Sequence, residues 1–381
     1  MKIFVLTKRQ YMGKDLIDDR FGRFRELPLE LARLGHTVAG LALSYRPSTD
    51  GVFVDQGNSP TATVTWQSVN LLSGRIPRFR KYISCALQAA REFHPDVIWA
   101  CSDAYHVIFG NWLAKQVRAL CVIDLYDNFE AFGASRLPGV LPLFRRAVRS
   151  ADGVSVFSRR LADYVGVAYR RTKATSVIEN GIREDLFYPR DRIQCRQEIG
   201  LPVDAAIIGT AGALDTSRGI EALFEAFAIL ASETKELHLA LAGSRQDALR
   251  VPQGPRVHDF GELPHAKVPV FLNALDLAVI CYRRSAQGEV SFPQKTYEIL
   301  ACRLPLVAAA VGSMNELLKD CPACLYEPED PQDLAAAIRR QLEARTIMQT
   351  PAPSWADSAS MLSEFFAEVA GERDSGGTLK A

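Results

Sequence analysis

The residues best suited to chemistry lie in one run, Ser291-Phe292-Pro293-Gln294-Lys295-Thr296-Tyr297-Glu298. Proline suits the first turn of a helix, so a helix is predicted from Pro293. Its first N–H groups lack partners within the helix and point at an anion, most simply a phosphate. Lys295 adds a point charge beside a pyrophosphate. Glu298, about one and a half turns in, can accept two hydrogen bonds from ribose hydroxyls. The run has the parts of a nucleoside diphosphate site. It also suits a plainer helix, capped by Ser291 and Gln294, with an exposed glutamate.

Other residues could serve a second substrate. Ile123-Asp124-Leu125-Tyr126-Asp127 puts two carboxylates at the end of a predicted strand. Asp127 could stabilise positive charge at a reacting carbon, with Asp124 the second choice. Asp127 equally suits an N-cap or Asx turn. The loop Thr7–Arg23 carries Gly13, Gly22, Asp18, Asp19 and Arg20. These charges could contact an acceptor or hold two domains together, or simply be solvated. Consecutive Asp18 and Asp19 diverge, and no Asp-x-Asp follows a strand, so no metal is expected. Among eight cysteines only Cys321 and Cys324 are close. Zinc would need two more ligands at a matching spacing, so a loop is the favoured reading.

A membrane surface is a further candidate. Arg78, Arg80 and Lys81 crowd the first turn of a predicted helix, Pro77–Phe93. Cations there oppose the helix dipole at about 0.3–1 kcal/mol each when exposed, and an anionic partner would offset that. Leu71, Leu72, Ile76 and Phe79 could enter the headgroup layer. Arg145, Arg146 and Arg149 form a second basic patch. The alternative is a solvated helix whose stripe of Phe79, Ile83, Ala86 and Ala90 is core.

Short β-branched runs alternate with helical patterns, which argues parallel sheets with helices on both faces. The first half offers strands Lys2–Leu6, Thr37–Leu43, Val97–Ala100, Ala119–Leu125 and Gly153–Phe157. Helices Gly22–Leu34, Pro77–Phe93, Ala104–Arg118, Leu141–Arg149 and Arg159–Val165 lie between them. The second half repeats the scheme from Ala206–Gly212 to a helix at Pro331–Ala344. Two doubly wound domains are expected, 1–187 and 188–352, with a linker near Leu186–Arg192. Residues 353–370 should form a helix crossing back to the first domain, and 371–381 a disordered tail. Two such sheets could hold two substrates, which favours group transfer over simple binding.

The composition agrees. Of 381 residues, 48% are hydrophobic and 23% charged, an ordinary core-forming balance for a soluble chain. No apolar run approaches a membrane span and no signal peptide is evident, so the expected compartment is the cytoplasm, with peripheral contact at the inner membrane face. Residues 1–190 carry 27 Lys/Arg against 18 Asp/Glu, and residues 191–381 carry 18 against 26. The basic half suggests a face that meets something anionic. A nucleic-acid partner is not expected, since no known module is present.

The run around Glu298, with Val311-Gly312-Ser313-Met314-Asn315-Glu316 downstream, resembles the donor-site signature of GT-B glycosyltransferases, specifically the retaining family four. Further blocks fit in order: Gly209-Thr210-Ala211-Gly212 through Arg218, Leu239 to Gly243, Phe260-Gly261 with Asp276, and Ile178-Glu179-Asn180-Gly181. Gly35-His36-Thr37-Val38 and Trp355 extend the likeness to roughly residues 1–370. The resemblance implies that Gly13, Gly212, Gly243, Phe260, Ser291, Phe292, Pro293, Gln294, Lys295 and Glu298 bind a nucleotide-sugar donor. It implies Arg218 and Lys295 as phosphate clamps, Asp127 on the sugar side, and no cofactor or metal. It also implies transfer to a lipid-linked or cell-envelope glycan with retained configuration. Asp18, Asp19, Arg20, Arg78, Arg80 and Lys81 are then acceptor- or membrane-side candidates. Two departures stand out: Ser291 where the family usually has glutamate, and Ala213 where it usually has arginine. Epimerase, glycan synthase and degenerate binding protein are the alternatives.

Overall fold

The computed structural model describes residues 1–377 except 12, 58–61, 74–75, 132–134, 136, 247, 286–287 and 290–293, with backbone only for 374–377. The chain forms two compact units, Met1–Gly181 with Trp355–Ala381, and Ile182–Ser354.

The first unit is built on eight strands: β1 Lys2–Lys8, β2 Thr37–Ser44, β3 Gly51–Asp55, β4 Val64–Asn70, β5 Val97–Ala100, β6 Leu120–Leu125, β7 Gly153–Val156 and β8 Thr175–Val177. Their order across the sheet is β8-β7-β6-β5-β1-β2-β4-β3, parallel except for β3. β1 and β5 to β7 are apolar runs buried on both faces, as parallel strands between helix layers must be. The helix Arg23–Arg33 packs Phe24, Leu27 and Leu31 into the core beside Ile3, Val5 and Trp99.

β3 and β4 lie in a stretch, 51–70, for which the sequence suggested no element. β3 is the edge strand, with Val52 and Val54 exposed, so its alternation has no buried face to announce it. The helix at Trp355–Gly377 belongs to this unit: Ala359, Leu362, Phe365, Phe366 and Val369 recur at helical spacing in its core. It continues past the expected end at residue 370, so residues 371–377 are helical rather than a disordered tail.

The second unit carries β9 Ala206–Ala211, β10 Leu237–Ala242, β11 Val257–Asp259, β12 Leu277–Ile280, β13 Leu306–Ala309 and β14 Leu325–Tyr326. The order is β11-β10-β9-β12-β13-β14, all parallel. Residues 182–187, expected in the first domain, belong here, since Ile182 and Phe187 are buried in this core. A helix, Arg192–Ile199, begins at the last residue of the expected linker, and its Arg196 is buried against Asp276 at 2.5 Å.

Candidate active site

In the second unit two glycines let the strand ends converge. Gly212 and Gly243, just past β9 and β10, have φ of +139° and +141°. Gly212 N–H donates to the Ala242 carbonyl at 2.9 Å, and Gly243 N–H to the Gly261 carbonyl at 2.7 Å. A Cβ on Gly243 would stand 1.6 Å from the Gly212 oxygen, so only glycine permits this approach.

Between the ends of β9 and β12 opens a pocket of about 490 Å3, counting solvent at its mouth. Gly212, Ala213, Arg218, Tyr282, Lys295 and Ile299 are among its lining residues. The strand order reverses between β9 and β12. Open α/β sheets hold ligands at such a point, beyond the carboxyl ends of the strands.

Arg218 ends a single 3-10 turn, Thr216–Arg218, whose first N–H groups are met by Asp215: its Oδ1 accepts from Ser217 N at 2.7 Å. The Arg218 guanidinium lies 5.5 Å from the centre of the Tyr282 ring, within cation–π reach. Among the described residues it has no carboxylate in ion-pair contact. Neighbouring Arg283 is tied to Glu329 at 2.8 Å.

Lys295 Nζ donates to Glu298 Oε2 at 2.7 Å, and His265 Nε2 lies 3.8 Å from Oε1. Glu298 is 6% exposed. Burial resists its ionisation, but the Lys295 charge and then His265 outweigh it and hold its pKa below the ordinary value. Lys295 lines the pocket; Glu298, its partner, does not. The helix runs Lys295–Ala301, so Glu298 sits in its first turn, buried, rather than exposed and deeper in. Gln294 is its N-cap and makes no side-chain capping bond, and the expected capping box from Ser291 falls outside the described residues. Ser291, Phe292 and Pro293 lie outside the described residues. Phe260 packs edge-on against Phe271 with centroids 5.6 Å apart, and does not line the pocket.

The family described as "Glycosyl transferases group 1" matches residues 205–344, and "Glycosyl transferase 4-like domain" matches residues 23–181. The chain belongs to the group 1 glycosyltransferases. It is 30% identical over 235 residues to the D-inositol 3-phosphate glycosyltransferase of Geodermatophilus obscurus, covering 57% of this chain and 50% of that protein. Thus it spans about half the length of that relative. It is 24% identical to the alpha-monoglucosyldiacylglycerol synthase of Streptococcus pneumoniae over 379 residues, 92% of this chain and 79% of that one. It is 27% identical over 254 residues to the putative teichuronic acid biosynthesis glycosyltransferase TuaC of Bacillus subtilis, 66% of this chain and 62% of that protein. Among solved structures, sucrose-phosphate synthase from Thermosynechococcus elongatus superposes with a TM-score of 0.68 at 21% identity, covering 99% of this chain and 98% of that one. Anabaena HepE in complex with UDP gives 0.66 at 19% identity, covering 98% and 100%. The fold is GT-B.

In the first unit of this glycosyltransferase the candidate residues are differently placed. Asp124 is fully buried: Arg23 donates to both its oxygens, at 3.0 and 2.8 Å, and Ser155 Oγ donates at 2.7 Å. It is a structural partner, which corrects its place as second choice for a sugar-side carboxylate. Asp127, two residues beyond β6, is half-buried and accepts from Asn128 N at 2.7 Å, the local turn contact its sequence allowed.

Asp18 pairs with Arg9 at 2.6 Å, and Asp19 Oδ2 accepts from Asp15 N at 2.7 Å. Both tie their own loop together. Arg20 adopts φ +49°, and Gly13 φ +82° with open space where a Cβ would stand. Arg78 and Lys81 both reach Asp50 Oδ2, at 3.3 and 2.6 Å. The counter-charge expected from an external anion is thus partly supplied within the chain. Arg145 likewise pairs with Glu130 at 2.7 Å.

Sequence reading missed His265, Tyr282 and Arg283, and in the first unit Lys8, Asp103 and His106. Asp103 caps the helix Ala104–Val117 and holds His106 Nδ1 at 2.8 Å. Burial opposes its charge, but His106 wins and brings its pKa to about 2. An aspartate ahead of a predicted helix with histidine three residues on was the available signal. Among the described residues no group of three or more His, Cys, Asp or Glu could hold a metal ion. Cys321 and Cys324 are free and buried.

Proposed function

We propose that the chain transfers a sugar, with retention of configuration, from a nucleoside-diphosphate sugar to a lipid-linked or cell-envelope glycan. The observation that carries this is the pocket at the β9/β12 reversal, with Arg218 and Lys295 on its wall. In this reading the diphosphate lies against the Gly212 turn, where no side chain obstructs it. Arg218 and Lys295 offset the charge that grows on the leaving diphosphate. Glu298 receives the ribose hydroxyls.

The Lys295–Glu298 ion pair is then the resting arrangement. A buried carboxylate must be satisfied when the pocket is empty. On donor binding the ammonium turns to the phosphates, and the ribose hydroxyls take over its hydrogen bond to Glu298. Asp127 is retained as the sugar-side carboxylate. Ala213, where the family usually has arginine, leaves Arg218 as the principal guanidinium of the clamp. UDP is the first donor nucleotide to try, since the HepE structure named above contains it.

Warming the protein with UDP-, GDP-, ADP- and TDP-sugars tests the reading. A rise in melting temperature with one nucleotide class, absent in Glu298→Ala, supports it. An equal response to all four, or none, counts against it.

The proposed site of action is the inner membrane face, reached by contact rather than by a span. No helix among the described residues is long and apolar enough to cross a membrane. Leu72, Ile76, Phe79 and Ile83 are exposed beside the basic residues. With Arg78 and Lys81 engaged by Asp50, the apolar residues carry more of the contact than the cations. Sedimentation with anionic vesicles should therefore fall more for Ile76→Ser/Phe79→Ser than for Arg80→Ala. No loss in either variant removes the membrane proposal.

A further inference from the structure

Arg283 follows β12 and does not line the pocket, yet it grips the turn that delivers Arg218. Its Nε donates to the Thr216 carbonyl at 2.6 Å, inside the turn Thr216–Arg218. Its Nη1 is paired with Glu329 at 2.8 Å and its Nη2 lies 3.6 Å from Glu221. Glu221 opens the helix Glu221–Glu233, and Glu329 holds a left-handed φ of +64° in the loop after β14. The guanidinium thus ties the turn to the loop that carries Glu329, with Glu221 near its other arm.

The neighbouring residue acts on the same turn by another route. Tyr282 presents its ring to the Arg218 guanidinium. The contact with Gly219 is also tight: a Cβ there would lie 3.1 Å from Arg283 Cγ. A turn of three residues, with Ser217 exposed, has little packing of its own. Asp215 and Gln246 bond within the turn, at Ser217 N and Thr216 Oγ1, at 2.7 and 2.9 Å; residues 282 and 283 add the contacts that reach the Arg218 guanidinium and the Thr216 carbonyl.

We infer that Arg283 is a positioning residue for the donor diphosphate, acting through the Thr216–Arg218 turn and not by touching the ligand. This rests on the reading of Arg218 as a phosphate clamp. A planar guanidinium with one arm paired to Glu329 can present its Nε to a carbonyl in one direction, whereas a lysine would offer only a mobile point charge. Losing Arg283 should therefore let Arg218 swing while leaving the rest of the pocket intact.

The test compares UDP with UMP, by titration calorimetry on the full chain. Wild type, Arg283→Ala, Arg283→Lys, Arg218→Ala and the double alanine variant are measured. Arg283→Ala should weaken UDP about tenfold and leave UMP within about twofold. Arg283→Lys should recover only part of the loss. The double variant should bind UDP no more weakly than Arg218→Ala alone, because the two residues act as one device.

A merely structural role predicts something else: UDP and UMP weakened equally, or losses that add in the double variant. Either result overturns the inference, with Arg283→Lys as the folded reference should the alanine variant not fold. Wild-type chain that binds none of UDP, GDP and ADP overturns the donor reading and this inference together. Wild-type binding with an unchanged Arg283→Ala overturns this inference alone.

Discussion

The carboxyl edges of the two sheets treat their charged residues in opposite ways. In the first unit they are largely consumed. Arg23 and Asp124 form a two-pronged pair with no solvent contact. Arg9, itself buried, serves Asp15 and Asp18. Burial pushes the Lys8 pKa down; Asp103 and Asp127 only partly restore it, and its ammonium donates to Tyr126 Oη at 3.2 Å. In the second unit the strand ends are kept clear by glycine, a pocket opens, and Arg218 has an aromatic ring rather than a carboxylate beside it. Paired charges fix loops; a cation left without an acidic partner at the edge of a pocket is available to an anion. The same fold thus makes a rigid edge in one unit and a receptive one in the other.

Exchanging arginine for alanine in each unit should separate these roles. Arg23→Ala strands a buried carboxylate and should cost about 3–5 kcal/mol of stability in urea unfolding. A loss below about 1 kcal/mol would mean that water relieves Asp124 and that the first edge is less locked than described. Arg218→Ala should leave stability within about 0.5 kcal/mol and weaken nucleoside diphosphate binding about tenfold or more. The comparison fails if Arg218→Ala destabilises as much as Arg23→Ala.

The smallest effect concerns acid. The folded pKa of Glu298 is depressed, since burial is outweighed by Lys295 and His265. Its pairing therefore adds stability above the unfolded-state carboxylate pKa of about 4.3. That stability is lost as pH falls through the lower folded value. Glu298→Gln should show a flatter stability profile below about pH 4.5 than wild type. Identical slopes would mean the carboxylate is not held as the Lys295 contact indicates.

Much of the fold was legible because buried parallel strands are apolar runs bounded by amphipathic helices. That pattern placed β1, β2, β5 to β7 and β9 to β13 close to where they lie. It failed at β3, exposed on an edge, at its neighbour β4, and at β14, two residues long. Glu298 and Lys295 could be singled out because their residue types and local spacing suit a nucleoside diphosphate, whereas Arg218 was named only through the resemblance. The fate of Asp124 could not, because its partner Arg23 is 101 residues away. Nor could the Asp50 contacts of Arg78 and Lys81, which depend on a hidden strand edge. Arg283 was invisible for a related reason: its role is a bond to a backbone carbonyl, which leaves no trace in composition.

The central claim is that Glu298 receives the ribose of a nucleoside diphosphate whose phosphates meet Arg218 and Lys295. Its most direct test is calorimetric binding of UDP and 2′,3′-dideoxy-UDP to wild type and to Glu298→Ala. Removing the two hydroxyls should cost wild type about tenfold to a hundredfold in affinity, as charge-assisted hydrogen bonds are worth about 1.5–3 kcal/mol. The variant should bind both ligands alike. An equal penalty in both proteins would contradict the account, for the hydroxyls would then be held by something other than Glu298.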